Sequence, residues 1–115
     1  MDAQLKVRLK QTGEEQLSLP GLTSFTEQVD STFEVIDIPP TPFELTLVRV
    51  VEHVKTEHNE AFSVFFQGPV ERFMPQGTQK IRHEQLGELE IFLVPVAKTK
   101  DGFEYEAVFN YILSK

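Results

Sequence analysis

Histidines and carboxylates crowd most closely in residues 53–60, where His53, Glu57, His58 and Glu60 share one short stretch. A metal site needs three or four ligands converging on one point. Here the spacing is irregular and the intervening residues are polar, so the stretch predicts a solvated loop and no metal centre. His83 beside Glu84 reads as an exposed pair at a turn. A nucleophilic hydroxyl needs a base next to it and a third group behind that base. Ser63 lies in a Phe-rich run and Ser114 near the C-terminal end, neither with an elbow or a Gly-rich context. The turn residues Gly68, Pro69 and Gly77 carry no phosphate-loop lysine, and no helical pattern follows them. Glu88, Glu90, Glu104 and Glu106 could face one another across a hairpin, and paired carboxylates can do acid–base work. Strict alternation already accounts for them as a wet face. No catalytic residue, metal or cofactor is assigned.

The elements that would position any site are dominated by residues 86–113. Two apolar runs flank Lys100-Asp101-Gly102, a strong hairpin signal because tight turns need residues that tolerate positive φ. After the turn, Phe103, Tyr105, Ala107, Phe109, Tyr111 and Leu113 fall on one face at period two. Before it, Leu89, Ile91 and Leu93 alternate with Phe92, Val94 and Val96, which predicts burial on both faces. Pro95 cannot donate to a ladder, so a bulge or a strand edge is expected there. Core positions expected from these patterns are Phe62, Phe66, Leu89, Ile91, Phe92, Leu93, Tyr105 and Phe109.

Upstream, Leu5, Val7 and Leu9 alternate with Lys6, Arg8 and Lys10, and a polar, turn-rich stretch follows over 11–20. Residues 1–21 therefore read as an N-terminal arm or an edge strand, and residues 22–115 as a single β domain. A helix is expected over 22–30, with Ser24 and Glu27 forming a capping box. Strands are expected over 33–38, 43–54, 61–67 and 78–83. Pro39, Pro40 and Pro42 stop the first of these. In the second, Phe43, Leu45 and Leu47 share a face while Val48 and Val50 take the other, which suggests a bulge or two-sided burial. Residues 70–77 form an irregular link with Phe73 and Met74 tucked beneath it, and Pro75-Gln76-Gly77 suits a type I turn. The fold class is all-β with one short helix, an antiparallel sandwich or partly open barrel of six or seven strands.

At 115 residues the chain is large enough to bury a core without metals or disulfides, and it has no cysteine. Its formal charge of −7 argues against nucleic acid and anionic membrane as partners, since both demand a basic face. No apolar run approaches the ~20 residues of a membrane span, and no apolar segment follows Lys6 and Arg8 as a secretory signal requires. A cytoplasmic location is expected.

The segments FSVFFQGPVERFMPQGTQKI, LGELEIFLVPV and YEAVFN, in that order, resemble a family of small bacterial proteins described as a domain of unknown function. Its pattern is F-S-L-x-F-x-G-P, then P-Q-G-T-Y, then L-G-x-L-x-L-F-L-V-P-V, then Y-E-A-V-F-N. The resemblance spans roughly residues 22–110. It departs at Gln79, where the family carries Tyr, and in the proline-rich corner at 39–42. Family members resemble accessory proteins encoded near tail-collar or tail-fibre proteins of phage-derived systems. The resemblance places Phe73, Gln76 and Gln79 in a loop. A large apolar residue and amides at a turn suit binding, while the competing reading has Gln76 bracing the turn by bonding to backbone.

The expected function is a non-catalytic protein-interaction or assembly module, and the resemblance implies an accessory of a phage-tail-like system. A small-molecule-binding β-barrel is the alternative, and a hydrolase ranks last. The partner would be another protein or the chain itself. An open sheet edge is a template for pairing, so a homo-oligomer is expected in which residues 5–10 dock on an edge.

Overall fold

The computed structural model describes residues 7–9, 14–15, 20–40 and 42–113. Its elements are strands β1 (Val7–Leu9) and β2 (Glu14–Glu15), helix α1 (Leu22–Thr26), and strands β3 (Thr32–Val35), β4 (Phe43–Lys55), β5 (Asn59–Gly68), β6 (Gly77–His83), β7 (Gly87–Thr99) and β8 (Gly102–Leu113). All pairings are antiparallel. Six strands close a ring in the order β3, β4, β5, β8, β7, β6. The ring is not evenly round its axis, an antiparallel all-β architecture between a sandwich and a partly open barrel. On the edge away from β5, β8 pairs with β7 over its first residues and with β1 over its last, Val7 lying opposite Leu113. Apart from β1, β2, Pro20 and Gly21, the N-terminal arm lies outside the described residues, as does Ser114.

Inward-facing residues follow the alternation. Phe62, Phe66, Leu89, Ile91, Leu93, Tyr105 and Phe109 are buried, and the rings of Phe25, Phe62, Phe109 and Tyr111 form one cluster. Phe62 stacks on Phe109 at 5.1 Å between centroids. Phe92 departs from the expected core. It faces outward, cross-strand from Thr78, and is half-buried, while Val96 is exposed. A run apolar on both faces does not reveal which face meets the core, and here only the face of Leu89, Ile91 and Leu93 does.

Three bulges adjust the long strands. Val48 is an extra residue between Leu47 and Arg49, His53 between Glu52 and Val54, and Val96 between Pro95 and Ala97. The bulge at Val48 resets the alternation, so Val50 returns to the core side instead of joining Val48 on the opposite face. The β7–β8 turn closes with Thr99 opposite Gly102, whose φ is +144°. A Cβ there would lie 2.0 Å from the Gly68 carbonyl oxygen, so glycine is required by both backbone and space.

The helix is shorter than expected and starts differently. It ends at Thr26, and its N-cap is Gly21, with no side-chain cap from its own segment. The cap comes from β5. Glu60, 3% exposed, accepts the Leu22 N–H through Oε2 and pairs with Lys55 Nζ at 3.3 Å through Oε1. The Tyr111 hydroxyl donates to Pro20 O at 2.6 Å. A carboxylate at a helix N-terminus satisfies an orphan donor and opposes the positive end of the dipole. Beyond the helix, Asp30 adopts φ +77° and its N–H donates to Leu47 O, fixing the entry into β3.

Candidate functional site

The end of the ring opposite α1 is closed by residues 69–76, the connection between β5 and β6. Chain chemistry dictates its shape. Pro69 follows Gly68 and cannot extend the ladder. The chain turns at once, with the Arg72 N–H reaching Pro69 O at 3.4 Å. The turn therefore lies at 69–72, and at Gln76 there is only a bend, instead of the expected type I turn at 75–77. The Arg72 guanidinium donates to Pro40 O at 2.8 Å and Pro42 O at 3.4 Å, and sits 4.4 Å from the Phe43 ring centroid. Two residues on, Met74 is fully buried and its N–H donates to the Tyr105 hydroxyl at 2.9 Å. Burial raises the Tyr105 pKa, with the Met74 N–H pulling the other way, so this hydroxyl stays protonated.

Arg72 and Met74 thus anchor the loop on either side of Phe73. Phe73 is not tucked under the loop as expected; it is 54% exposed. Its ring meets that of Phe103 edge-on at 5.2 Å, and Lys98 Nζ lies 5.4 Å from the Phe103 centroid. Val70 on the same loop is also exposed. Gln76 is exposed and forms no side-chain hydrogen bond among the described residues, so Arg72 braces the loop in its place. Gln79 points the other way. At 9% exposure it is buried on the inward face of β6, opposite Ile91. Of the three residues expected in a binding loop, Phe73 and Gln76 lie on the surface together and Gln79 does not join them.

Beside this loop lies a groove of about 370 Å³, lined in part by Glu44, Glu71, Arg72 and Asp101. The Arg72 guanidinium is committed to the proline corner. No hydrogen bond or ion pair engages the side chains of Glu44, Glu71 or Asp101 among the described residues.

The other polar constellations are engaged in contacts within the chain. His53, brought in by its bulge, reaches Ser63 Oγ through Nε2 at 2.9 Å, and Ser63 donates its hydroxyl proton to Glu106 Oε2 at 2.6 Å. The serine therefore accepts from histidine, the reverse of the arrangement in which histidine takes a nucleophile's proton. Ser63 is 1% exposed and offers no approach to a substrate. Glu57 and His58 form an exposed pair at the β4–β5 turn, and Glu60 caps α1. Across the sheet, Glu88 and Glu90 face Arg82 and Lys80, while Glu104 pairs with Arg49 at 3.2 Å. The four glutamates of the β7–β8 region therefore do not converge.

His83 is buried, not exposed at a turn. Its Nδ1 accepts the Gln85 and Leu86 N–H groups at 3.0 and 3.1 Å, which places the ring proton on Nε2, 2.9 Å from Ser31 Oγ. Burial lowers its pKa, with Glu84 acting against that shift. Sequence reasoning missed Glu60 and His83, although parity marks both. Glu60 shares the face of Phe62, Val64 and Phe66, and His83 that of Ile81.

Among the described residues, no helix is long and apolar enough to cross a membrane, and no group of three or more His, Asp or Glu side chains is placed to hold a metal ion. No curated protein and no solved structure matches the chain. One family does, over residues 20–109, a span that holds α1, the ring from β3 to β7, most of β8 and the anchored loop. The chain belongs to that family, described as Domain of unknown function (DUF6916).

Proposed function

We propose that this domain is a non-catalytic interaction module, an assembly or accessory component of a larger complex, and that its contact point is the anchored loop over 69–76. The observation that carries this is Phe73. An aromatic ring 54% exposed forgoes much of the ~1.5–3 kcal/mol that burial would contribute. It is held by Arg72 on one side and Met74 on the other, so little ordering remains to be done on binding. Rigid, exposed aromatic anchors are the residues that dominate protein interfaces. A bacterial phage-tail-like assembly is the setting suggested by the resemblance of the loop and strand motifs. The partner is another protein or a second copy of the chain.

Site-directed photocrosslinking tests this reading. A photoreactive phenylalanine at position 73 should yield a discrete protein adduct in the native host, and the same group at Glu90, on the outer face of β7, should not. Adduct patterns identical at both positions would refute the loop as the contact point.

A further inference from the structure

The proposed contact loop borders a groove whose charge restricts what can enter it. Its charged lining groups are Glu44, Glu71, Asp101 and Arg72. Three carboxylates against one guanidinium leave two net negative charges. Arg72 is turned to the carbonyls of Pro40 and Pro42 and to the Phe43 ring, so it forms no ion pair with any of the three carboxylates among the described residues, although its charge offsets one of them. The groove volume of about 370 Å³ is at the small end of the ~300–1,000 Å³ of ligand pockets, enough for one or two side chains. Glu71 precedes Arg72 and Phe73 in the loop, and Asp101 lies two residues before Phe103, the ring that supports Phe73. Phe73 and Phe103 do not line the groove, but each lies two residues along the chain from one of its carboxylates, Glu71 and Asp101.

We propose that this region docks a cationic segment of a protein partner, with a lysine or arginine side chain in the groove between Glu44, Glu71 and Asp101 and an apolar neighbour against Phe73. The proposal rests on the reading of the loop as a contact point. Charge complementarity selects this occupant. The carboxylates are not placed to ligate a metal ion, and the chain's net charge of −7 steers cationic partners toward it.

The test uses the full chain and two labelled peptides, one repeating glycine, lysine and leucine, the other with glutamate in place of lysine, followed by fluorescence anisotropy. The lysine peptide should bind about tenfold more tightly than the glutamate peptide, and its affinity should fall severalfold as salt rises from about 50 to about 300 mM. The Glu71→Gln, Asp101→Asn double variant should lose most of that preference without a change in Tm. Phe73→Ala should weaken the lysine peptide while leaving its salt dependence in place. Equal affinity for both peptides, with a loss on Phe73→Ala, overturns the cationic partner and leaves the contact loop standing. No binding of the lysine peptide, or binding indifferent to Phe73→Ala, overturns the proposal.

Discussion

Glu60 offers the sharpest test of how the fold is held. Its carboxylate is 3% exposed and receives the Leu22 N–H, 38 residues away in sequence. Truncation in Glu60→Ala removes a hydrogen bond to a charged acceptor, worth about 1.5–3 kcal/mol, and orphans the Leu22 donor. Loss of the charge at the N-terminus of α1 adds about 0.3–1 kcal/mol, toward the low end because the helix has only five residues. The Lys55 pair adds little, since the lysine side chain is half exposed and such pairs contribute about 0–1 kcal/mol. The expected cost is about 2–4 kcal/mol in urea melts. Glu60→Gln keeps an acceptor and should cost about half as much, and Lys55→Met less than about 1 kcal/mol. Hydrogen exchange locates the effect, because the amides of residues 22–26 should lose protection before those of β5 and β8. A loss below about 0.5 kcal/mol in Glu60→Ala, with exchange at Leu22 unchanged, would refute the capping role.

Two further outcomes follow from burial. Phe109→Ala should cost about 3–5 kcal/mol, because its ring is fully buried between Phe25 and Phe62, whereas Phe92→Ala should cost less than half of that. Chemical denaturation of both variants checks the ordering, and equal losses would contradict the assigned faces of β7. His83 should make stability pH-dependent. Its folded pKa lies below the unfolded value of 6.5, so the unfolded chain takes up the proton first and stability falls as pH drops below about 6.5 toward the folded pKa. His83→Asn, whose side-chain oxygen can still accept the Gln85 and Leu86 N–H groups, should flatten that slope in melts between about pH 5 and 7.

Much of the ring was legible because β-sheets impose period two, and the chain obeys it along β5 and β8. The bulges at Val48 and Val96 were legible too, one from a parity change and the other from a proline that cannot donate. Phe92 was not, because a strand apolar on both faces carries no phase. The helix boundary failed for a different reason. Ser24 and Glu27 match a capping box by local spacing, but the Leu22 amide is taken by Glu60, and no local rule reports a partner 38 residues away. The same limit hid the loop. Phe73 and Met74 are both large and apolar, and their opposite fates depend on where Arg72 and the Met74 amide find partners.

Those partners also explain why the exposed ring persists. The ends of the ring are tied by polar contacts to segments distant in sequence. Tyr111 and Glu60 hold the residues leading into α1 at one end, and Tyr105 and the carbonyls of Pro40 and Pro42 hold the loop at the other. Exchanging Phe73 for Met74 in the interior would bury one apolar side chain and expose another, for little net gain. It would also break the Met74–Tyr105 bond, orphaning a hydroxyl that burial keeps protonated, and displace Arg72 from the proline corner. The anchors therefore hold Phe73 outward, and a side chain held there is already in the conformation that a partner would meet.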